Sequence, residues 1–388
     1  MFRALILLLV VAAAAVDRRH YRRHAARWTP GVRRLFLVVC GLSDALPAVL
    51  MLLSALLRDN PTPVIRVMMW GIWVWMAAVG PRMLYYLFAR LGLRRTAATV
   101  AAVSLALLAW GATGGRSRIE VDRLEVSSRT LPAAFDSLRI VQITDIHIGS
   151  LVSPARELRR LVDSVEALRP DLVAFCGDLV NIRYTELDAE ARSILGSIDA
   201  PLGVYSVLGN HDVGVYVKDT LSLPPAVNIR RLVGLQEAMG WRVLRDTTVW
   251  IRRGDDSISL SGLSFDPTLR EQRHDRRLPA PPLDRVYGDL PADAWNITLS
   301  HLPQNWDAIL ASGRGDLTLA GHVHAMQLKV RLFGRYYSPA RLLYPRWSGR
   351  YDEQGRTLSI CDGSGYVGYP MRLGAPPQIT LITLRRCE

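Results

Sequence analysis

The chain has 388 residues, a mean hydropathy of +0.13 and a formal net charge of +13, and the excess lies at one end: residues 1–116 carry 15 basic and 3 acidic side chains, residues 117–388 carry 33 and 32. A pI near 10 that the polar region does not carry excludes a nucleic-acid-binding domain, and 49% hydrophobic content excludes a disordered chain. Four cysteines (Cys40, Cys176, Cys361, Cys387) with no CxxC pair among them exclude a zinc ribbon or a disulfide scaffold.

Four apolar stretches come first, at Phe2–Val16, Leu35–Leu57, Val64–Ala89 and Thr96–Thr113. A helix needs ~20 residues to cross the hydrocarbon core of a membrane. The second and third meet that length, the fourth lies at its lower edge and the first is short. None shows the recurring polar face of a soluble amphipathic helix. Residues 1–116 are therefore expected to form an all-α bundle of about four transmembrane helices, with a cleaved signal peptide over Met1–Ala15 as the competing reading of the first.

Charge sets the expected orientation. Arg18, Arg19, Arg22, Arg23, Arg27, Arg33 and Arg34 follow the first stretch, and Arg90, Arg94 and Arg95 follow the third. Only Arg58 and Arg66 lie between the second and third. The positive-inside bias makes the first and third connections cytoplasmic, which places both termini outside and the C-terminal region on the extracytoplasmic face of the cell (inner) membrane. A signal peptide would export seven arginines, against the same bias. Asp44 lies mid-span, and an intramembrane carboxylate is by default a functional candidate; a neutral or hydrogen-bonded Asp44 within the bundle is the plain alternative. Arg82, after Pro81, is expected to snorkel to the cytoplasmic interface.

After Gly114-Gly115, residues 117–388 read as an α/β domain of stacked layers. Strands are predicted at Leu138–Thr144, Leu172–Cys176, Gly203–Leu208, Trp241–Leu244, Thr247–Ile251, Ile258–Leu263, Ile297–Leu299, Leu317–Leu319, Leu328–Leu332, Leu358–Ile360 and Ile379–Leu384. Helices are predicted at Ser153–Leu168 and Leu187–Ile198. So many strands fit two packed sheets with helices outside. Asp266–Asp293 and Gly334–Tyr351 read as surface loops, and Cys176 as a small buried hydrophobe.

Five of the eight histidines directly follow an apolar strand or lie in a motif that does. The motifs, in order, are Asp145-Ile146-His147, Gly177-Asp178, Gly209-Asn210-His211-Asp212, Ser300-His301 and Gly321-His322-Val323-His324. Ligands of α/β sheets bind outside the carboxyl ends of strands, so these motifs would gather into one polar cluster. Singly, an Asp-x-His pair or a Gly-Asp is a turn; jointly, chance placement is improbable. Buried carboxylates and imidazoles at one point cost several kcal/mol each in desolvation, and divalent cations remove that cost. The seven donors Asp145, His147, Asp178, Asn210, His301, His322 and His324 exceed what one tetrahedral ion needs, so two ions are implied. Paired ions clamp a phosphoryl group and generate hydroxide from water, and a histidine not used as a ligand can protonate the leaving oxygen.

This order of motifs resembles the calcineurin-like metallophosphoesterases, from about Arg118 to Arg386, including the ending Pro376-Pro377-Gln378-Ile379-Thr380-Leu381 common in the membrane-associated bacterial branch. The resemblance implies a four-layer α/β/β/α sandwich with a dinuclear site. It implies that Asp145, His147, Asp178 and His324 hold one ion, and that Asp178 bridges to a second held by Asn210, His301 and His322. It assigns His211 to phosphate contact and general acid catalysis, with Asp212 orienting it. Asn181 stands where purple acid phosphatases have tyrosine, and Val180-Asn181-Ile182-Arg183 replaces the Asp-Arg-Gly of protein phosphatases, which disfavours both. Ala325-Met326-Gln327 replaces a frequent Gly-Gly-Gln, which questions the local loop.

The expected function is a membrane-anchored phosphoesterase cleaving phosphomonoester, phosphodiester or pyrophosphate bonds with two divalent ions (Mn, Fe or Zn), on a substrate that anchoring suggests is lipid-linked. The alternatives are a cytoplasmic-facing UDP-diacylglucosamine-type pyrophosphatase, and a membrane sensor or scaffold whose domain only binds ligand. Arg273, Arg276 and Arg277 read as a solvated loop in reach of a phosphate. Tyr336, Tyr337, Tyr344, Trp347 and Tyr351, interleaved with arginines, read as a packed loop or as rings at lipid headgroups.

Overall fold

In the computed structural model, which describes residues 2–387, the chain divides into two units: residues 1–114 with 368–371, and residues 115–367 with 372–388.

The first unit holds four helices, α1 (Phe2–His24), α2 (Pro30–Leu56), α3 (Thr62–Arg90) and α4 (Arg94–Ala112). Among the described residues, α2, α3 and α4 are long and apolar enough to cross a membrane, and α1 is not among them. Four such spans were expected; three meet the requirement. The arginine segment expected to be a loop is largely helix, because nothing between Phe2 and His24 is a glycine or proline that would stop one. The turn before α2 is short and well capped: Pro30 occupies the first helical position and the Thr29 hydroxyl accepts the Val32 N–H.

Arg82 does not snorkel. Its side chain is only 12% exposed, with Nη2 at 2.8 Å from Asp17 Oδ2 and 2.9 Å from Asp44 Oδ1. Its Nη1 donates to Ser43 Oγ at 2.8 Å. Two carboxylates from α1 and α2 meet one guanidinium from α3, which none of the three could leave without stranding a charge among apolar helices.

The second unit is built on two six-stranded sheets. Its strands are β1 (Glu120–Ser128), β2 (Arg139–Ile143), β3 (Leu172–Phe175), β4 (Val204–Ser206), β5 (Trp241–Val243), β6 (Thr247–Arg253), β7 (Asp256–Leu263), β8 (Asn296–Ser300), β9 (Leu317–Ala320), β10 (Val330–Leu332), β11 (Arg335–Tyr337), β12 (Gly349–Glu353), β13 (Arg356–Ile360) and β14 (Gln378–Arg386). Its helices are α5 (Pro154–Glu166), α6 (Ala189–Leu195), α7 (Pro225–Ala238), α8 (Leu283–Tyr287) and α9 (Trp306–Ala311). One sheet runs β1-β14-β2-β3-β4-β5 and the other β12-β13-β9-β8-β7-β6, while β10 and β11 pair as a separate hairpin. The central strands of each sheet are parallel.

Alternation along the strands builds the core between the sheets. Ile140, Leu172, Ala174, Cys176 and Val207 of the first meet Ile258, Leu260, Ile297, Leu299, Leu317 and Leu319 of the second. One buried polar side chain links the two: Gln142 donates to the Ala320 carbonyl at 2.8 Å and accepts from Ser359 Oγ at 2.8 Å. On the outer face of the second sheet, Leu263, Leu358 and Ile360 pack with Val286 and Tyr287 of α8 and Trp306, Ile309 and Leu310 of α9. The buried residues of α5, Leu158, Leu161, Val162 and Val165, follow the spacing of a helix with one core face.

The two expected surface loops are not plain loops. Asp266–Asp293 contains α8, with Val286 and Tyr287 buried. Gly334–Tyr351 contains β11, and its Tyr344 and Trp347 are buried with Val323, Ala325 and Ala340.

Candidate metal centre

The parallel strands end level with one another. Ile143 pairs with Phe175, and Leu299 with Leu319, so the residues just beyond these strands emerge along one edge of both sheets. Asp145 and His147 follow β2, Asp178 follows β3, Asn210 and His211 follow β4, His301 follows β8, and His322 and His324 follow β9. Five of them turn sharply: Asp145, His147, Asp178, His322 and His324 have φ between 47° and 72°. Non-glycine residues rarely adopt such values, and each costs about 1–3 kcal/mol unless the surroundings hold it there. Two glycines make room. A Cβ on Gly209 would lie 2.1 Å from Asp178 Oδ1, and one on Gly321 2.3 Å from Asp145 Oδ2.

The donors converge in two groups. In the first, His324 Nε2 lies 3.1 Å from Asp145 Oδ1 and 3.1 Å from His147 Nε2. In the second, His301 Nε2 lies 3.0 Å from Asn210 Oδ1, and His322 joins His301 and Asp178. Asp178 stands between the groups, its Oδ2 at 3.6 Å from His147 Nε2 and 3.2 Å from His301 Nε2. All the ligand candidates are buried.

Hydrogen bonds fix which atoms face inward. Asp145 Oδ2 accepts from Thr144 Oγ1 and from the His322 backbone, while Oδ1 has no hydrogen-bond partner among the described residues. His301 Nδ1 lies 2.8 Å from the Cys176 carbonyl and His322 Nε2 lies 3.2 Å from the Arg273 carbonyl. A carbonyl only accepts, so His301 Nδ1 carries a proton and its Nε2 is the atom turned to the donor group; His322 Nε2 is shared between the Arg273 carbonyl and the Tyr344 hydroxyl, also at 3.2 Å.

The electrostatics suit cations. Burial works to neutralise Asp145 and Asp178, but His324 beside the first, and His301 and His211 beside the second, outweigh it and hold both carboxyls below the ordinary range. Burial holds His147 and His322 well below the usual imidazole range, so both are neutral. For His301, burial is outweighed by Asp178, which pushes the imidazole up to about 9. A lone pair facing two acceptor oxygens needs either a proton or a metal between them. Ionised carboxylates, neutral imidazoles and an orphaned carboxylate oxygen at one buried point are a donor set that fits divalent ions.

His211 lies at the open side. Its Nδ1–H donates to the Asn181 carbonyl at 2.6 Å and its ring stacks on Tyr216. Asp212, expected to orient this histidine, does something else. Its carboxylate accepts the backbone N–H groups of Asp178, Leu179, Val180 and Gly209. It shapes the turn that carries Asp178, and the Asn181 carbonyl orients His211.

Several neighbours had no sequence signal. Glu186 accepts N–H groups from Gly149, Asn181 and Ile182, tying the His147 turn to the Asn181 turn; burial pushes its carboxyl up to about 7 against those bonds. Fully buried Arg372 donates to the Gly365 and Asp362 carbonyls and lies 3.4 Å from His324 Nδ1. Arg273 and His274 belong to the site's rim: the His274 ring lies 5.5 Å from His322, its Nδ1 bonds the Tyr344 hydroxyl, and the Arg273 guanidinium lies 5.5 Å from the Tyr216 ring centre. Ala325 and Met326 both have φ 48°, so they adopt the left-handed backbone for which glycine is suited.

Residues 138–326 match the calcineurin-like phosphoesterase family. The chain is similar to a "Transmembrane protein with metallophosphoesterase domain" of Danio rerio, 28% identical over 290 residues that cover 73% of this chain and 61% of the relative. An uncharacterized metallophosphoesterase of Bacillus subtilis is 26% identical over 72% of this chain and 92% of its own length. The UDP-2,3-diacylglucosamine pyrophosphatase of Chlamydia trachomatis is 30% identical over 34% of this chain and 40% of its own length. The chain thus spans about three fifths of the first of these relatives, 61%.

Proposed function

We propose that the chain, whose residues 138–326 match the calcineurin-like phosphoesterase family, is a membrane-anchored hydrolase of phosphomonoester, phosphodiester or pyrophosphate bonds. In this reading residues 1–116 form the membrane domain, with α1 as a fourth span, and residues 117–388 a four-layer α/β/β/α sandwich. Asp145, His147, Asp178 and His324 hold one ion; Asp178, Asn210, His301 and His322 hold the other. Bound there, two divalent cations (Mn, Fe or Zn) supply positive charge for the phosphoryl oxygens and acidify water.

The protein's own groups do the rest. Asp178 presents the same oxygen, Oδ2, to both donor groups, while Oδ1 accepts the His211 backbone N–H at 2.8 Å, which fixes the carboxylate's angle. His211, anchored through Nδ1, is left with Nε2 to contact a phosphoryl oxygen and to deliver a proton to the leaving oxygen. Glu186 and Asp212 act as positioning residues, each holding a turn that bears one of these groups.

The observation that carries the reading is the convergence of buried Asp and His side chains into linked three-residue groups. Its test is hydrolysis of bis-nitrophenyl phosphate by the purified full chain with defined metals. Asp145→Asn and His211→Ala are each expected to reduce turnover by about 10²–10⁴-fold, with metal content falling only in the first. Unchanged turnover in both would reject the site.

The arginine distribution supports an extracytoplasmic domain, and anchoring through the apolar helices favours a lipid-linked substrate in the same membrane. The resemblance to the Chlamydia trachomatis pyrophosphatase supports a second reading, the same chemistry on a nucleotide–lipid with the domain facing the cytoplasm. A C-terminal alkaline phosphatase fusion separates the two: it is active in the first arrangement and silent in the second.

A further inference from the structure

We infer that the β10–β11 hairpin is a membrane-inserting arm that seeks anionic lipid headgroups. Both of its strands are exposed along their whole length, and they are joined by a two-residue turn at Phe333-Gly334. Both turn residues have positive φ, 49° and 77°, as the type I′ hairpin requires. That turn ordinarily takes Asn, Asp or Gly in its first position. A phenylalanine there is strained, and Phe333 is wholly exposed, at 101%, so no contact in the domain offsets the strain. Val330, Leu332, Tyr336, Tyr337 and Leu342 extend the exposed apolar surface around it. Five exposed apolar side chains on one eight-residue hairpin mark an interaction site.

Charge and context identify the occupant. From Leu317 to Tyr351 there is no Asp or Glu; Lys329, Arg346 and Arg350 pair with Asp362, Glu353 and Asp352 beyond that stretch, which leaves Arg331 and Arg335 on the hairpin and Arg341 beside it as its cations outside any ion pair among the described residues. Rings interleaved with arginines suit the bilayer interface, and each basic residue near an anionic leaflet adds attraction. The same chain has three helices long and apolar enough to cross a membrane, so a bilayer is the surface it brings with it. Three residues at ~3.3 Å rise make an arm of roughly 10 Å, comparable with the ~5–10 Å to which interfacial elements sink their apolar face.

The arm is rooted in the candidate metal centre. β10 follows closely on His324, Ser338 Oγ donates to the Ala325 carbonyl at 2.6 Å, and the Tyr344 hydroxyl lies 3.2 Å from His322 Nε2. Insertion of the tip sets the rim of the cluster at headgroup depth. Combined with the phosphoesterase reading, on which this clause rests, that selects phosphoesters presented at a lipid surface.

The test uses the full chain with Cys387→Ser, reconstituted in phosphatidylcholine vesicles with and without phosphatidylglycerol. An environment-sensitive thiol probe is placed at Phe333→Cys, or at Asp255→Cys on the exposed β6–β7 turn as the control. With phosphatidylglycerol present, the probe at 333 is expected to shift to the blue, lose its quenching by iodide and gain quenching by doxyl lipid. The control keeps its iodide quenching, and Arg331→Glu with Arg335→Glu returns the 333 probe to iodide. Equal iodide quenching at 333 and 255 would overturn the proposal. So would shielding at 333 that rises with protein concentration without doxyl quenching, which would assign the tip to another protein surface. The readout needs no turnover, so it stands or falls separately from hydrolysis.

Discussion

Asp212 and His211 are adjacent, yet their side chains serve different ends, and this is where reading residue types from sequence reached its limit. The strand-end position of each motif made Asp145, His147, Asp178, Asn210, His301, His322 and His324 legible, because a polar residue after an apolar run lies at the sheet edge whatever else it does. The direction of a carboxylate is not encoded in that way. Asp212 turns back to N–H groups 32 to 34 residues earlier, a contact no local pattern announces. An orphaned buried N–H costs about 1–3 kcal/mol, so Asp212→Ala is expected to lower the thermal midpoint of the purified chain clearly. Asp212→Asn keeps an acceptor oxygen and is expected to retain most of the hydrolysis. A loss from Asp212→Asn as deep as that from His211→Ala would instead make Asp212 a partner in proton transfer. At Ala325 the strained backbone gives the opposite sign. Relief of about 1–3 kcal/mol, less about 0.4–1 kcal/mol for the freer unfolded chain, means that Ala325→Gly should raise the thermal midpoint, whereas Met326→Gly also removes a side chain packed against the Val323–Trp347 cluster and should not.

Among the elements, the buried parallel strands were read nearly to the residue because their runs are continuously apolar. β1 was missed because Glu120–Ser128 is mostly polar, lies at the sheet edge and is largely exposed, so it lacks the hydrophobic signal that marked the rest. The five-residue α8 and six-residue α9 are too short for periodicity to show. Among the apolar helices, spacing identified the spans but not the ion pairs across them. Removing one partner of a buried ionic group costs about 3–5 kcal/mol. Arg82→Ala in detergent is therefore expected to destabilise α1 against α2 and α3, read as a lower midpoint and faster proteolysis near the Ala25–Thr29 turn. Adding Asp17→Asn and Asp44→Asn should recover most of the loss. No recovery would mean that Arg82 acts through packing rather than charge.

Over the whole molecule, the two sheets divide the donors between them: Asp145, His147, Asp178 and Asn210 come from one, and His301, His322 and His324 from the other. Ions bound at the edge would therefore fasten sheet to sheet. Stripping metal with a chelator is expected to lower the midpoint of the α/β unit, and returning a divalent ion at about 100 times its dissociation constant should restore roughly 2.7 kcal/mol. A midpoint indifferent to chelation would separate the donor cluster from metal binding. That two sheets exist was legible from the number of strands, but their sharing of one site depends on pairing across long sequence separations.

The placement of β14 has a consequence for how the protein is made. This strand follows every other in the chain, yet it lies between β1 and β2, parallel to the first and antiparallel to the second. While a ribosome is still threading residues 378–386, β1 has no neighbour to pair with and β2 lacks one of its two. The first sheet therefore closes only once residues 378–386 have emerged, about 250 residues after β1 and β2.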